Sequence, residues 1–399
     1  MNMVSRSARR ADRRQFLGAF IAAGTVGLLP LPNRAGAAEP SFPWRVGAGE
    51  GEITPPLEVG LLMSSGRQAW EPFEGVRLPL HARAVVVEKD DRRIALVALD
   101  LLGLADEAVG GMPQFKQQAC AAAGHLVGPD ELIFASSHTH SSPESAALTD
   151  LYKTEPFQRW LEKLAQGIGT ALRTAADSAR PCRLMTGSQP APGMTVNRRI
   201  RTKRGIASVR QKLPPDEVIG PEGPNDDWVR VGAFLDASGK PAAMLVNFTT
   251  HPVLEMCIKQ VSPDYPGEMC LELQRRHPGA VPLFLQGATG NINPPTMERC
   301  AANSRRYGRR LAGLVDRAME EMAPVEGGEL ALRRKTLELS ARQVAGEAPP
   351  EPLKTRIAAL RMGTAALVFL PGEPFLEIAL AIREASPFPF TAVVGYAED

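Results

Sequence analysis

Only six histidines occur in the 399 residues, and two of them, His138 and His140, sit in the run "FASSHTHSSP" directly after the apolar stretch "ELIFA". A third, His251, follows "AMLVNFTT" 113 residues further on, and Glu373 follows "AALVFLPG" another 122 residues beyond. Imidazoles and a carboxylate are the ligand types of a catalytic zinc, which takes three or four nitrogen or oxygen groups and keeps one position for water. Histidines separated by one residue point to the same side of an extended chain. Ligands scattered over 235 residues suit a centre assembled by a finished fold, because the ligands of a structural zinc knot lie close together in sequence.

Other chemistry is weaker. Ser136, Ser137, Ser141, Ser142 and Ser262 stand near these histidines, yet the chain has no G-x-S-x-G elbow and no Ser…Asp…His order on a strand-turn-helix. The serines are expected to hydrogen-bond the ligands. The glycine-rich "QGATGNINP" after "VPLFL" lacks the lysine of a phosphate loop and the glycine spacing of a dinucleotide loop, so it reads as a tight backbone turn. His81, His125 and His277 have no comparable context and read as structural or surface residues. Asp100 ends the run "IALVALD", where it would either orient a histidine or cap a loop.

The apolar runs themselves read as strands: 82–88, 94–99, 131–135, 229–235, 242–249, 281–285, 365–370 and 391–394. Asp236 to Lys240 reads as a hairpin turn. Helical patterns fall between the runs at 108–123, 155–176, 266–277, 297–322 and 374–384, with Asp264 placed to cap the third and Pro266 in its first turn. Strands alternating with helices give an α/β fold in which a central mixed sheet is covered by helices. In such folds ligands bind where loops leave the carboxyl ends of strands, and four of the runs end there in histidine, carboxylate or amide residues. The segment 187–227, rich in charge, Pro and Gly, reads as a surface flap without regular period.

Residues 1–37 carry paired Arg13-Arg14 before Phe16-Leu17, a weakly apolar run and the small-residue site Ala35-Gly36-Ala37, the pattern of a cleaved twin-arginine export signal. The protein is therefore expected in the periplasm or secreted. That leader holds six arginines and one aspartate; residues 38–399 keep 40 basic and 43 acidic residues, a balance of −3. No basic stripe remains to argue for nucleic acid. The five cysteines form no C-x-x-C pair, and a chain of this length does not need disulfide staples.

From about Val46 onward the motifs together resemble the neutral/alkaline (non-lysosomal) ceramidase family, specifically its N-terminal catalytic domain. "VGAGEGEITPP" is similar to that family's opening stretch, "SSHTHSSP" to its THTHSGP core, and Asn197-Arg198 to its N-R element. "NFTTHPVLE", "QVSPDYPGE", "LQGATGNINP" and "LPGEP" are similar to four further segments in the same order. The resemblance implies one zinc ion per chain, held by His138, His251 and Glu373, and hydrolysis of an N-acyl amide in a ceramide-like lipid. It places His140 and Arg198 against the substrate carbonyl, and Ser262 and Asn197 along the substrate. It also implies a further ligand tyrosine and a β-sandwich domain beyond Asp399, with Tyr396 in the strand before that tyrosine. Asn291 and Tyr265 depart from the family's residues at their positions. A lipid substrate would bring transient contact with a membrane surface. Two other readings fit the same residues: a zinc hydrolase for another amide or ester, and an inactive relative that only binds a ligand.

Overall fold

A computed structural model describes residues 42–60, 72–209, 211–256, 258–296, 298–340 and 352–398, all within one unit, Ser41–Asp399. The export signal and Met297 lie outside the described residues. In chain order the longer strands are β1 (Trp44–Glu52), β2 (His81–Lys89), β3 (Arg92–Leu99), β4 (Leu132–Ser136), β5 (Arg180–Pro190), β6 (Arg199–Thr202), β7 (Gly205–Ser208) and β8 (Val218–Pro221). They continue with β9 (Trp228–Asp236), β10 (Pro241–Phe248), β11 (Val281–Gln286), β12 (Leu330–Leu339), β13 (Leu353–Met362), β14 (Ala365–Phe369) and β15 (Phe390–Val394). The helices are α1 (Met112–Ala122), α2 (Glu155–Asp177), α3 (Asp264–Arg276), α4 (Ala301–Glu320) and α5 (Leu376–Ala385). Among the described residues no helix is long and apolar enough to cross a membrane.

The central sheet is mixed and nine-stranded, running β11-β10-β9-β5-β1-β2-β3-β4, with Ala323–Pro324 pairing beside β5. Only β3 with β4 and β10 with β11 are parallel; the other neighbours on this path are antiparallel. Side-chain alternation sorts its residues onto two faces, which build three cores. Val86, Val97, Leu99 and Phe134 face α1 and α2, where Phe115, Trp160, Leu164 and Ile168 meet them. Val231, Met244, Val246 and Phe284 face α3 and α4 through Met269, Leu311 and Val315. The opposite face holds Val85, Val87, Leu96, Ile133, Leu245 and Leu285.

Here the expectation of helices on both faces needs refinement. The second face is covered by another sheet, β12-β13-β14-β15, through Leu360, Met362, Leu367, Phe369, Ala392 and Val394. Helix α5 then closes the outside of that second sheet with Leu376 and Ala379 against Val393. The result is a four-layer sandwich, helix–sheet–sheet–helix, an α/β fold with two apolar sheet interfaces. Because Leu283 and Leu285 share one core with Ile133 and Ala135, the two ends of the central sheet turn toward each other.

One strand absent from the sequence reading explains itself in this packing. The β1 run "WRVGAGEGE" has three glycines and looks like loop, but Gly47, Gly49 and Gly51 lie against the backbone of α2. A Cβ at any of them would run into the carbonyl oxygens of Ala175, Ala171 or Gly167, so only glycine allows the helix to approach this closely. The flap at 187–227 also has more order than expected: β8-β6-β7 form a three-stranded sheet, and its first residues belong to β5.

Candidate metal centre

Five strand ends converge at one rim: β4 leads to His138, β10 to His251, β11 to the glycine-rich loop, β14 to Glu373 and β15 to Tyr396. The connections are made by backbone pairing between layers. Ser136 N donates to Tyr396 O, Gly395 N to Gln286 O, and Gly290 N to Pro374 O. The glycine-rich run is explained by close approach, since neither Gly287 nor Gly290 has a left-handed φ. A Cβ on Gly290 would meet Glu373 O at 2.6 Å and the Phe375 ring at 2.8 Å, and one on Gly287 would strike Thr249.

His138 sits at φ 66°, a left-handed conformation that is uncommon outside glycine and asparagine and costs a side-chain-bearing residue of order 1–2 kcal/mol. Its amide donates to Leu101 O, and its ring is buried. The His138 Nδ1 lies 2.5 Å from Leu102 O, and the His251 Nδ1 lies 3.1 Å from Thr289 O. A ring nitrogen facing a carbonyl oxygen must carry a proton, so in the neutral form of both rings Nε2 is left as a lone pair. Those two Nε2 atoms are 3.0 Å apart, and His140 Nε2 is 3.3 Å from that of His138. All three fall within 4.8 Å of one another.

Lone pairs this close repel unless a cation lies between them. A proton is disfavoured on His251, whose pKa is driven well below its ordinary value, first by burial and then by its neighbours His138, His140 and Arg198. A metal ion resolves the contact. Nitrogens bound to tetrahedral zinc at 2.0–2.1 Å stand about 3.3 Å apart, close to the spacings found here. The carbonyls of Leu102 and Thr289 are the outer hydrogen-bond partners that fix the tautomer of metal-binding histidines.

Glu373 comes up to the same group, with Oε1 3.1 Å from His138 Nε2 and Oε2 3.7 Å from an Arg198 guanidinium nitrogen. Burial works to raise its pKa, but its contact with His138 and the charge of Arg198 outweigh this and hold the carboxyl below its ordinary value. Its side chain and that of Arg198 remain 45% and 30% exposed, so this is the open side of the centre. Arg198 is aimed by a junction at Asn291, whose carbonyl accepts from Arg198 N at 2.7 Å. The Asn291 side chain accepts from Leu376 N and donates to Glu377, so it also caps α5.

The structure sorts the sequence-derived residues. His138, His251, Glu373 and Arg198 meet. His140, placed against substrate by the sequence, brings its Nε2 into the histidine group itself. Ser262 is fully buried; its hydroxyl accepts from Arg77 at 2.9 Å and from Asp264 N at 3.0 Å. Asn197 is buried as well, accepting from Arg199 N and donating to Pro224 O. Both brace the loops that carry the centre, with their side chains engaged by protein partners. Ser141 and Ser142 likewise serve backbone and not imidazoles: Ser141 donates to Glu255 O, and Ser142 accepts from Leu102 N. Asp100 takes the loop role, accepting from His81 N and from Arg83. Asp264 is itself the first residue of α3, at φ 54°, with its carboxylate taking Tyr265 N and Glu255 N.

Sequence reading missed the residues that hold the rings. Tyr396 stacks on His138, with centroids 4.0 Å apart and planes 22° apart, while its hydroxyl pairs with Thr289 Oγ1 at 2.6 Å. Thr289 thus serves both rings, through its carbonyl to His251 and its hydroxyl to Tyr396. The only signal for either residue was its place just after a strand end.

No family model and no curated protein matches the sequence. The fold does match solved structures. Neutral ceramidase from Pseudomonas aeruginosa superposes with a TM-score of 0.70 at 19% identity, over 89% of this chain and 67% of that one. A structure described as ceramidase complexed with C2 gives 0.70 at 18% identity, over 89% and 68%. The fold is that of neutral ceramidase, as the sequence motifs implied, and at this identity the likeness is one of architecture.

Proposed function

We propose that the protein is an exported, zinc-dependent amidohydrolase that cleaves an N-acyl amide, with a ceramide-like lipid as its substrate class. The observation that carries the reading is the set of imidazole Nε2 atoms facing one another at 3.0 and 3.3 Å, with a carboxylate beside them and a guanidinium at the open side. His138, His140 and His251 would hold the ion, with Glu373 able to join them. A zinc ion there supplies Lewis acidity and brings the pKa of water to about 7.

The chain's own residues do the rest. Leu102 O and Thr289 O keep the Nδ1 protons in place and the ring lone pairs inward. Glu373 stays ionised near neutrality and, standing part-exposed beside the ligands, can accept a proton as well as ligate. Arg198 presents a fixed positive charge where negative charge develops on an attacked carbonyl; fixed donors of this kind contribute about 10²–10³ in rate. The match to neutral ceramidase folds supports an amide as the scissile group, and the resemblance at 138–143 and 251–255 supports the lipid.

Purified protein is expected to carry about one zinc per chain and to cleave N-acyl sphingoid amides faster than simple esters or peptides. Metal-free, inactive protein with an intact fold would favour a ligand-binding relative, and a preference for esters would move the substrate elsewhere. Amino-terminal sequencing of exported protein tests removal of the leader.

A further inference from the structure

The two histidine loops start from strands that are far apart in the sheet. β4, which leads to His138, is one end of the central path, and β10, which leads to His251, lies next to the other end. No ladder hydrogen bonds join them; beyond the histidines their loops meet through His140 N to Pro252 O and Ser141 Oγ to Glu255 O. At the residues that lead into His138 and His251, one buried side chain spans the gap. Gln286, the last residue of β11, is fully buried, and its Nε2 donates to Ser137 O at 3.1 Å and to Thr250 O at 3.0 Å. Its Oε1 accepts from Gly287 N at 3.1 Å. Ser137 and Thr250 are the residues immediately before His138 and His251.

We propose that Gln286 is a positioning residue that ties the two histidine loops together and thereby sets the spacing of the metal ligands. The inference rests on the metal reading above. The chemistry requires this side chain in particular. Both targets are carbonyl acceptors, so two donors on one nitrogen are needed, and only a primary amide supplies them together with an acceptor for Gly287 N. A carboxylate in its place would face two carbonyl oxygens without a proton to give. An apolar side chain would leave two buried carbonyls without this donor.

Asn247 is the internal control. It is an equally buried amide on β10, and its Nδ2 also donates to two carbonyls, Leu285 O and Val393 O, both 3.0 Å away. Neither of those residues immediately precedes a histidine. Loss of either amide should lower stability to a similar degree, but only loss of Gln286 should loosen the metal centre.

The test is zinc affinity by chelator competition on Gln286→Met, Gln286→Glu and Asn247→Met, each checked for fold by a melt of the metal-free protein. Outer hydrogen-bond partners of metal ligands are worth about 10–100-fold in affinity. That loss is expected for both Gln286 variants, with Asn247→Met within about threefold of the parent. Parent-like affinity in a folded Gln286 variant, or an equal loss in Asn247→Met, overturns the positioning role while leaving the metal centre standing. A parent protein that binds no zinc overturns the metal reading and this inference with it.

Discussion

Two buried polar clusters lie within a few residues of each other in sequence, and they are built on opposite terms. In one, Arg77 makes a two-bonded pair with the Glu255 carboxylate, reaches Glu268 at 2.7 Å, and donates to Ser262. Burial works against the Arg77 charge, but Glu255 and Glu268 outweigh it and hold the guanidinium above its ordinary value. Every strong donor there has an acceptor. In the histidine centre the protein aims its outer hydrogen bonds outward, to Leu102 and Thr289, and leaves facing lone pairs inside. A satisfied network is scaffold, while a gathered but unbalanced one marks where a ligand belongs.

The contrast can be broken in four ways. The largest effect is expected at the unbalanced centre: His251→Ala should lose zinc and turnover together while far-ultraviolet dichroism stays unchanged. Unaltered zinc stoichiometry in that variant would remove His251 from the ligand set. At the balanced cluster the damage should fall on the fold. Arg77→Met leaves two carboxylates facing a place without charge, and breaking a buried pair in this way costs about 3–5 kcal/mol. Urea unfolding reads that cost, and a loss under 1 kcal/mol would mean the cluster is not scaffold.

Ser262→Ala comes next. Removal of a hydroxyl that accepts from Arg77 and from Asp264 N should cost about 1–3 kcal/mol in stability. KM should hold steady, and a raised KM with unchanged stability would return Ser262 to the substrate. The subtlest signal is a slope. Burial first, and then the neighbouring Glu255, hold the Asp264 carboxyl well above its ordinary 3.8. The folded state therefore keeps a proton that the unfolded chain has already released. From this group alone, stability falls as pH climbs from 3.8 toward the raised folded value and levels off above it. Asp264→Asn should lack that fall, so it gains on the parent as pH rises, and parallel stability curves would refute the assignment.

Much of this was legible in the chain. The apolar runs that became β2, β3, β4, β10, β11 and β14 are β-branched or leucine-rich and sharply bounded, and their carboxyl ends carried the histidines and Glu373. Three of the strands that escaped reading have a visible cause. β1 is glycine-rich because α2 presses on it, and β12 and β13 carry charges because much of their length is exposed. The bracing bonds of Ser262 and Asn197 were not legible, because a sequence motif does not show which way a side chain turns. His140 was separated from the ligands because spacing alone does not show that three nitrogens will share one point.

What the sequence determined by itself was the kind of chemistry and its address. Scarce imidazoles and a carboxylate follow strand-forming runs, and local propensity is enough to place them at a rim. What only the tertiary structure decided was that residues from opposite ends of an eight-strand path, and from a second sheet stacked upon it, meet within a few ångströms. Sheet coiling and layer packing set that meeting. Both depend on the summed burial of many side chains and on none of the site residues taken alone.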